Sequence, residues 1–156
     1  MRIYVLLLLA TFFVIGCKVE EVEPAPELPK TVEELIQGDW FIVNEKYEHY
    51  NSSNQKIHEG GGITNHGEAF ITNRHFKQNH STGTLNSGFY SISDIAGAKY
   101  IYIDHEEDAS SSTFLLHIVN ETEMVWMKES YNQHYYNGSG MVPSAKTLFY
   151  ITFKRK

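Results

Sequence analysis

Cysteine is all but missing from this 156-residue chain: Cys17 stands alone, so no disulfide can form within it. Positive charge is short as well, with 13 Lys and Arg against 19 Asp and Glu and a formal net charge of −6. Without a basic stripe to neutralise phosphates, nucleic acid is excluded as the expected partner. The one basic run, Lys154-Arg155-Lys156, is a chain end and reads as solvated. No amphipathic stretch of helix length interrupts the central and C-terminal parts, which excludes a parallel βαβ architecture. No internal repeat is visible.

Catalytic patterns are lacking too. There is no Gly-x-Ser-x-Gly elbow, and Gly60-Gly61-Gly62 has neither the Lys-Ser/Thr nor the following helix of a phosphate cradle. Histidine occurs at His49, His58, His66, His75, His80, His105, His117 and His134, yet never as His-x-His or His-x₃-His, the local spacings that favour zinc. These eight read as rim or surface residues, with convergence of three from distant strands left open. Glu106-Glu107-Asp108 lacks the alternating ligands of a calcium loop and reads as a solvated turn. The expectation is a protein that is not an enzyme and holds no metal or cofactor.

What is present begins at the N-terminus. After Arg2, residues 3–16 (IYVLLLLATFFVIG) carry no charge, giving a positive n-region, an apolar h-region and a small residue at the end. A spanning helix needs about twenty apolar residues to cross roughly 30 Å of hydrocarbon, so this run reads as a cleaved secretory signal. Val14-Ile15-Gly16-Cys17 resembles the lipobox of bacterial lipoproteins. That resemblance implies cleavage before Cys17, a diacylglycerol on its thiol and an acylated amine. Two or three acyl chains hold a protein firmly on a membrane, where one gives only marginal binding. With the thiol so used, cysteine catalysis and thiolate metal sites drop out. Loss of Arg2, the only charge in the signal, takes the net charge from −6 to −7.

The stretch KVEEVEPAPELPKTVEE after Cys17 is rich in Glu and Pro and poor in large apolar residues, and so reads as a solvated tether over residues 17–34. Lys18 after the cysteine resembles lipoproteins released to the outer membrane. Lys18, Glu20 and Glu21 are also similar to the acidic surface-export tag of Bacteroidota lipoproteins; periplasmic and surface faces both stay open.

Residues 35–156 make one domain of single-core size. Of the chain's ten Tyr, nine Phe and two Trp, all but Tyr4, Phe12 and Phe13 of the signal fall here and lean the composition toward sheet. Thr31 followed by Glu33 and Glu34 caps a short helical turn that ends before Gly38 and would plug one end of a barrel. From Asp39 the period becomes two, with Trp40, Ile42 and Asn44 on one face. Strands are expected over residues 39–50, 56–64, 68–77, 84–93, 99–105, 113–120, 124–131 and 146–154. The Gly60-Gly61-Gly62 run would force a bulge or bend, Asn65-His66-Gly67 a turn, and residues 132–143 a long loop. Eight short strands with regular turns predict an all-β sandwich or barrel.

Gly38-Asp39-Trp40 resembles the Gly-x-Trp opening of lipocalins. The tight Asn-Glu-Thr turn between two apolar strands and the Phe-rich final strand look like the lipocalin-like lipoproteins of Bacteroidota. The resemblance implies an eight-stranded antiparallel up-and-down barrel, with Trp40 as a structural residue at its closed end. Such a barrel is just wide enough to fill with side chains or to hold one small ligand. Inward positions are expected at Phe70, Phe76, Tyr90, Leu116, Ile118, Met124, Trp126, Phe149, Ile151 and Phe153, with Phe70, Thr72, Arg74 and Phe76 sharing a face. If they line a cup, the ligand is small and apolar or aromatic. If they interdigitate, the barrel is a scaffold that shows its Gly-rich 132–143 segment, with Tyr135 and Tyr136, to a protein partner.

Overall fold

The computed structural model describes residues 28–80 and 83–156. The signal, Cys17 and the greater part of the tether lie outside the described residues. Among those described, no helix is long and apolar enough to cross a membrane.

Among the described residues one short helix, α1 (Val32–Ile36), precedes eight strands: β1 (Gly38–Tyr50), β2 (Lys56–Thr72), β3 (His75–His80), β4 (Gly83–Ile95), β5 (Ala98–His105), β6 (Ser111–Val119), β7 (Glu123–Tyr136) and β8 (Met141–Arg155). Each strand pairs antiparallel with the next, and β8 returns to β1, so the sheet closes into an up-and-down barrel without a free edge.

The helix starts where its capping chemistry predicts. Thr31 Oγ1 accepts from the Glu34 N–H at 3.2 Å, and the Glu34 carboxylate accepts from the Thr31 N–H at 2.7 Å. Its start at Val32 lies inside the stretch read as tether. Val32 packs against the core and Ile36 is fully buried, so the helix closes one end of the barrel. Below it lie Trp40, Ile42, Ile71, Met124 and Phe153, each at most 3% exposed. Burial of each such side chain is worth roughly 1.5–3 kcal/mol, which is the main hold on this end.

The number of strands matches expectation, but two of the connections between them do not. Asn65-His66-Gly67 is not a turn: β2 runs through it, and Gly67 pairs with Ile42. The turn falls instead at Asn73-Arg74, both at positive φ (44° and 67°), as a two-residue hairpin requires. Arginine gives no sign of such a position in sequence. The predicted 68–77 strand is therefore the end of β2 and the start of β3, and Phe70 and Phe76 do not share a face.

The glycine run keeps its pairing, with Gly60, Gly61 and Gly62 opposite Tyr47, Lys46 and Glu45. The irregularity lies beyond it, where β1 passes from Ile42 to Asn44 while β2 passes from Gly67 to Ile63. The expected 132–143 loop is mostly hairpin: Tyr136 pairs with Met141, leaving only four residues, 137–140, to turn. Asn137 Oδ1 holds that turn by accepting from the Ser139 and Gly140 N–H groups.

Strand lengths make the barrel lopsided. β1, β2, β7 and β8 span 13, 17, 14 and 15 residues, whereas β3, β5 and β6 span 6, 8 and 9. The long strands raise one side of the wall at the end away from α1, where the interior opens.

Candidate functional site

The open half of the barrel encloses a cavity of about 490 Å³. Its floor is aromatic. Trp126, 1% exposed, lies with its ring 4.7 Å from Phe153, 5.4 Å from Phe114 and 5.5 Å from Phe76, measured between centroids. Ile103 and Ile151 complete the floor. On the tall side, Tyr47 stacks on Phe149 with centroids 4.5 Å apart. Burial, and then the nearby Glu45 carboxylate, pushes the Tyr47 phenol upward, so it stays neutral.

Polar groups share this lining: Glu45, Gln78, Asn86, His105, Ser110 and Ser112. His105 Nε2 lies 3.0 Å from Ser112 Oγ, while its Nδ1 is buried with no hydrogen-bond partner. The Trp126 indole N–H is also buried without an acceptor. The Glu45 carboxylate makes no hydrogen bond or ion pair to any described residue. The Lys128 ammonium, carried on β7, lies 5.8 Å from the centre of the Phe114 ring.

Above the cup, the tall wall carries a stack. Tyr135 stacks against both His49 and His58, with centroids 4.6 and 4.5 Å away, and the two imidazoles lie 5.8 Å from each other, so the three rings form a triangle. His49 is 7% exposed, and its Nδ1 lies 2.9 Å from Thr147 Oγ1 and 3.2 Å from Ser144 Oγ. Burial first, and the charge of His58 second, push the His49 imidazole below its ordinary value, which favours the neutral ring. His49 is therefore a buried group and not a surface histidine. No cluster of three or more His, Cys, Asp or Glu able to hold a metal occurs among the described residues.

The expected interior positions divide into four groups. Phe76, Trp126, Phe149, Ile151 and Phe153 line the cavity. Leu116 and Met124 are buried in the packed core. Tyr90 is buried toward α1, where its hydroxyl accepts from the Gln37 amide. Phe70 and Ile118 face outward, contrary to expectation. The Phe70 ring lies beneath Lys156 beside the exposed Phe41, with the ammonium 5.9 Å from its centre. Ile118 is 40% exposed, because the pairing of β6 with β7 shifts between Leu116 and Ile118 and reverses the faces beyond it.

The alternation Trp40, Ile42, Asn44 places the wrong β1 residues at the cup. The irregularity at Val43 changes the parity, so Glu45 and Tyr47 face inward opposite Ile151 and Phe149. A sign of this lies in the sequence: Tyr47 follows Ile42 at an odd spacing in a strand of period two. Trp40 occupies the closed end as expected, its indole N–H donating to the Ile36 carbonyl at 2.9 Å.

No protein-family model matches the chain, and no curated protein matches it in sequence. Among solved structures, a lipocalin-like protein from Bacteroides uniformis is similar to it, with a TM-score of 0.45 and 10% identity over 77% of this chain and 97% of that one.

Proposed function

We propose that this chain is a lipid-anchored protein of the cell envelope whose barrel holds one small ligand with a flat or apolar body. The observation that carries the reading is the cup of about 490 Å³ over Trp126, walled by Phe114 and the Tyr47–Phe149 stack. A volume of this size suits a small molecule. The lining is of mixed chemistry, which favours an amphiphilic ligand over a purely apolar one. Anchoring rests on the lipobox-like Val14-Ile15-Gly16-Cys17, and an outer-membrane address on Lys18.

A second reading, a scaffold for a protein partner, draws on the β7–β8 hairpin. Tyr131, Tyr136 and Met141 there are 62%, 64% and 66% exposed. Native mass spectrometry of the protein purified gently from its own host separates the two. A reproducible added mass that leaves on denaturation is the expected result. A bare mass, with Trp fluorescence unchanged across a panel of lipids and aromatic compounds, overturns the ligand reading and leaves the scaffold.

A further inference from the structure

Glu45 is placed oddly for a structural residue. Its half-buried carboxylate lines an aromatic cavity, and among the described residues it has neither a hydrogen-bond donor nor a cation. Partial burial of an unpaired carboxylate is unfavourable, and proteins ordinarily compensate it with a donor or a counter-charge. Two such donors stand in the same cup, the Gln78 and Asn86 amides, and neither is bonded to it. The rings around it (Tyr47, Phe149, Trp126 and Phe114) present negative π faces that attract cations. One of these rings already takes a cation, since the Lys128 ammonium lies 5.8 Å from the centre of Phe114.

We infer that the cup selects a ligand bearing a positive charge, an amine or ammonium group on a flat or aliphatic body, with Glu45 as its counter-charge. This deepens the ligand-binding reading and rests on it. The ligand's cation fills the place beside Glu45 that no side chain among the described residues takes, while its body covers the Trp126 floor. The two halves of the lining, carboxylate and rings, are thereby used together.

Calorimetric titration of the purified full chain tests this with three probes of one shape: 3-phenylpropylamine, 3-phenylpropan-1-ol and 3-phenylpropionate. The amine is expected to bind about tenfold more tightly than the alcohol, the size of one charge-assisted hydrogen bond. Glu45→Gln should remove the preference for the amine over the alcohol, while Glu45→Asp should keep it. Among the described residues Glu45 has no partner to lose, so neither substitution should disturb folding. If the alcohol binds as tightly as the amine, or the propionate binds best through Lys128, the charge assignment is overturned and the cup stands. If none of the three binds, the cup falls together with the assignment.

Discussion

The Arg155 guanidinium lies over the Trp40 indole, 4.2 Å from the ring centre, and from there its three nitrogens reach three backbone carbonyls. Nε donates to Glu121 at 2.6 Å, Nη1 to Gln37 at 2.8 Å and Nη2 to Leu35 at 2.5 Å. Two of those carbonyls belong to the end of α1 and one to the β6–β7 turn. A single side chain from the end of β8 thus joins the helix, a turn and the buried Trp40. The carbonyls at a helix end need donors from elsewhere, and α1 has no basic residue in its own last turn.

Replacement of Arg155 tests that joint. Arg155→Lys keeps the charge but loses the planar fork, and should cost about 1 kcal/mol; Arg155→Ala should cost about 1–2 kcal/mol, given the exposure of the site. Urea denaturation would read both. Equal stability of all three proteins would show that the helix is held by Val32 and Ile36 alone.

The glycine run makes a sharper contrast. A Cβ on Gly61 would lie 2.2 Å from the Glu45 carbonyl oxygen, and its φ of +105° disfavours any side chain. A Cβ on Gly62 would meet nothing within 4 Å. Gly61→Ala should therefore destabilise by roughly 2–4 kcal/mol, while Gly62→Ala should stay within about 1 kcal/mol of the parent. Comparable melting temperatures for the two variants would contradict the close approach of β1 and β2.

Acid should weaken the fold in two windows. Glu48 has its carboxyl pushed down to about 2 by the ion pair with Lys46 at 2.8 Å, then by the Tyr50 hydroxyl and Lys56. Its folded value lies below the ordinary 4.5, so the unfolded chain takes up the proton first. The stabilisation, on the order of 2–3 kcal/mol, is complete above the ordinary carboxylate range and is lost as pH falls toward 2. His49 acts in the same direction at higher pH. Its folded value is lowered, so protonation below its ordinary 6.5 favours opening of the rim around Tyr135. Denaturation midpoints from pH 8 to pH 2 should fall in both windows. Glu48→Gln should flatten the lower window and His49→Gln the upper one.

The membrane anchor has its own test. Cys17→Ser should abolish incorporation of labelled fatty acid and leave the precursor uncut at residue 16, as read from its mass. Normal processing and lipid labelling of this variant would remove the anchor from the proposed function.

Much of this architecture was legible before folding. Thr31 and Glu34 mark the helix start, because a capping box needs only local chemistry. Asn51 and Asn120 mark hairpin turns, since their side chains accept from backbone N–H groups two to four residues on, whereas the same chemistry at Asn137 went unread inside the expected 132–143 loop. Trp40 was readable as a barrel-end residue from its tripeptide. Arg74 was not readable as a turn residue, since nothing in arginine favours positive φ. Arg155 was hidden as one of three consecutive basic residues at the chain end.

By itself, then, the sequence determined the number of strands, the capped helix and the aromatic stock of the interior, because these follow from local period and turn chemistry; the up-and-down barrel came only from the resemblance carried by Gly38-Asp39-Trp40 and the last strands. Only the tertiary structure decided which face of each strand looks inward. That choice depends on parity, and parity is reset wherever two strands of unequal residue count must stay hydrogen-bonded, as at Ile42/Asn44 and at Leu116/Ile118. Those two shifts turn Ile118 out to solvent and bring Glu45 and Tyr47 into the cup.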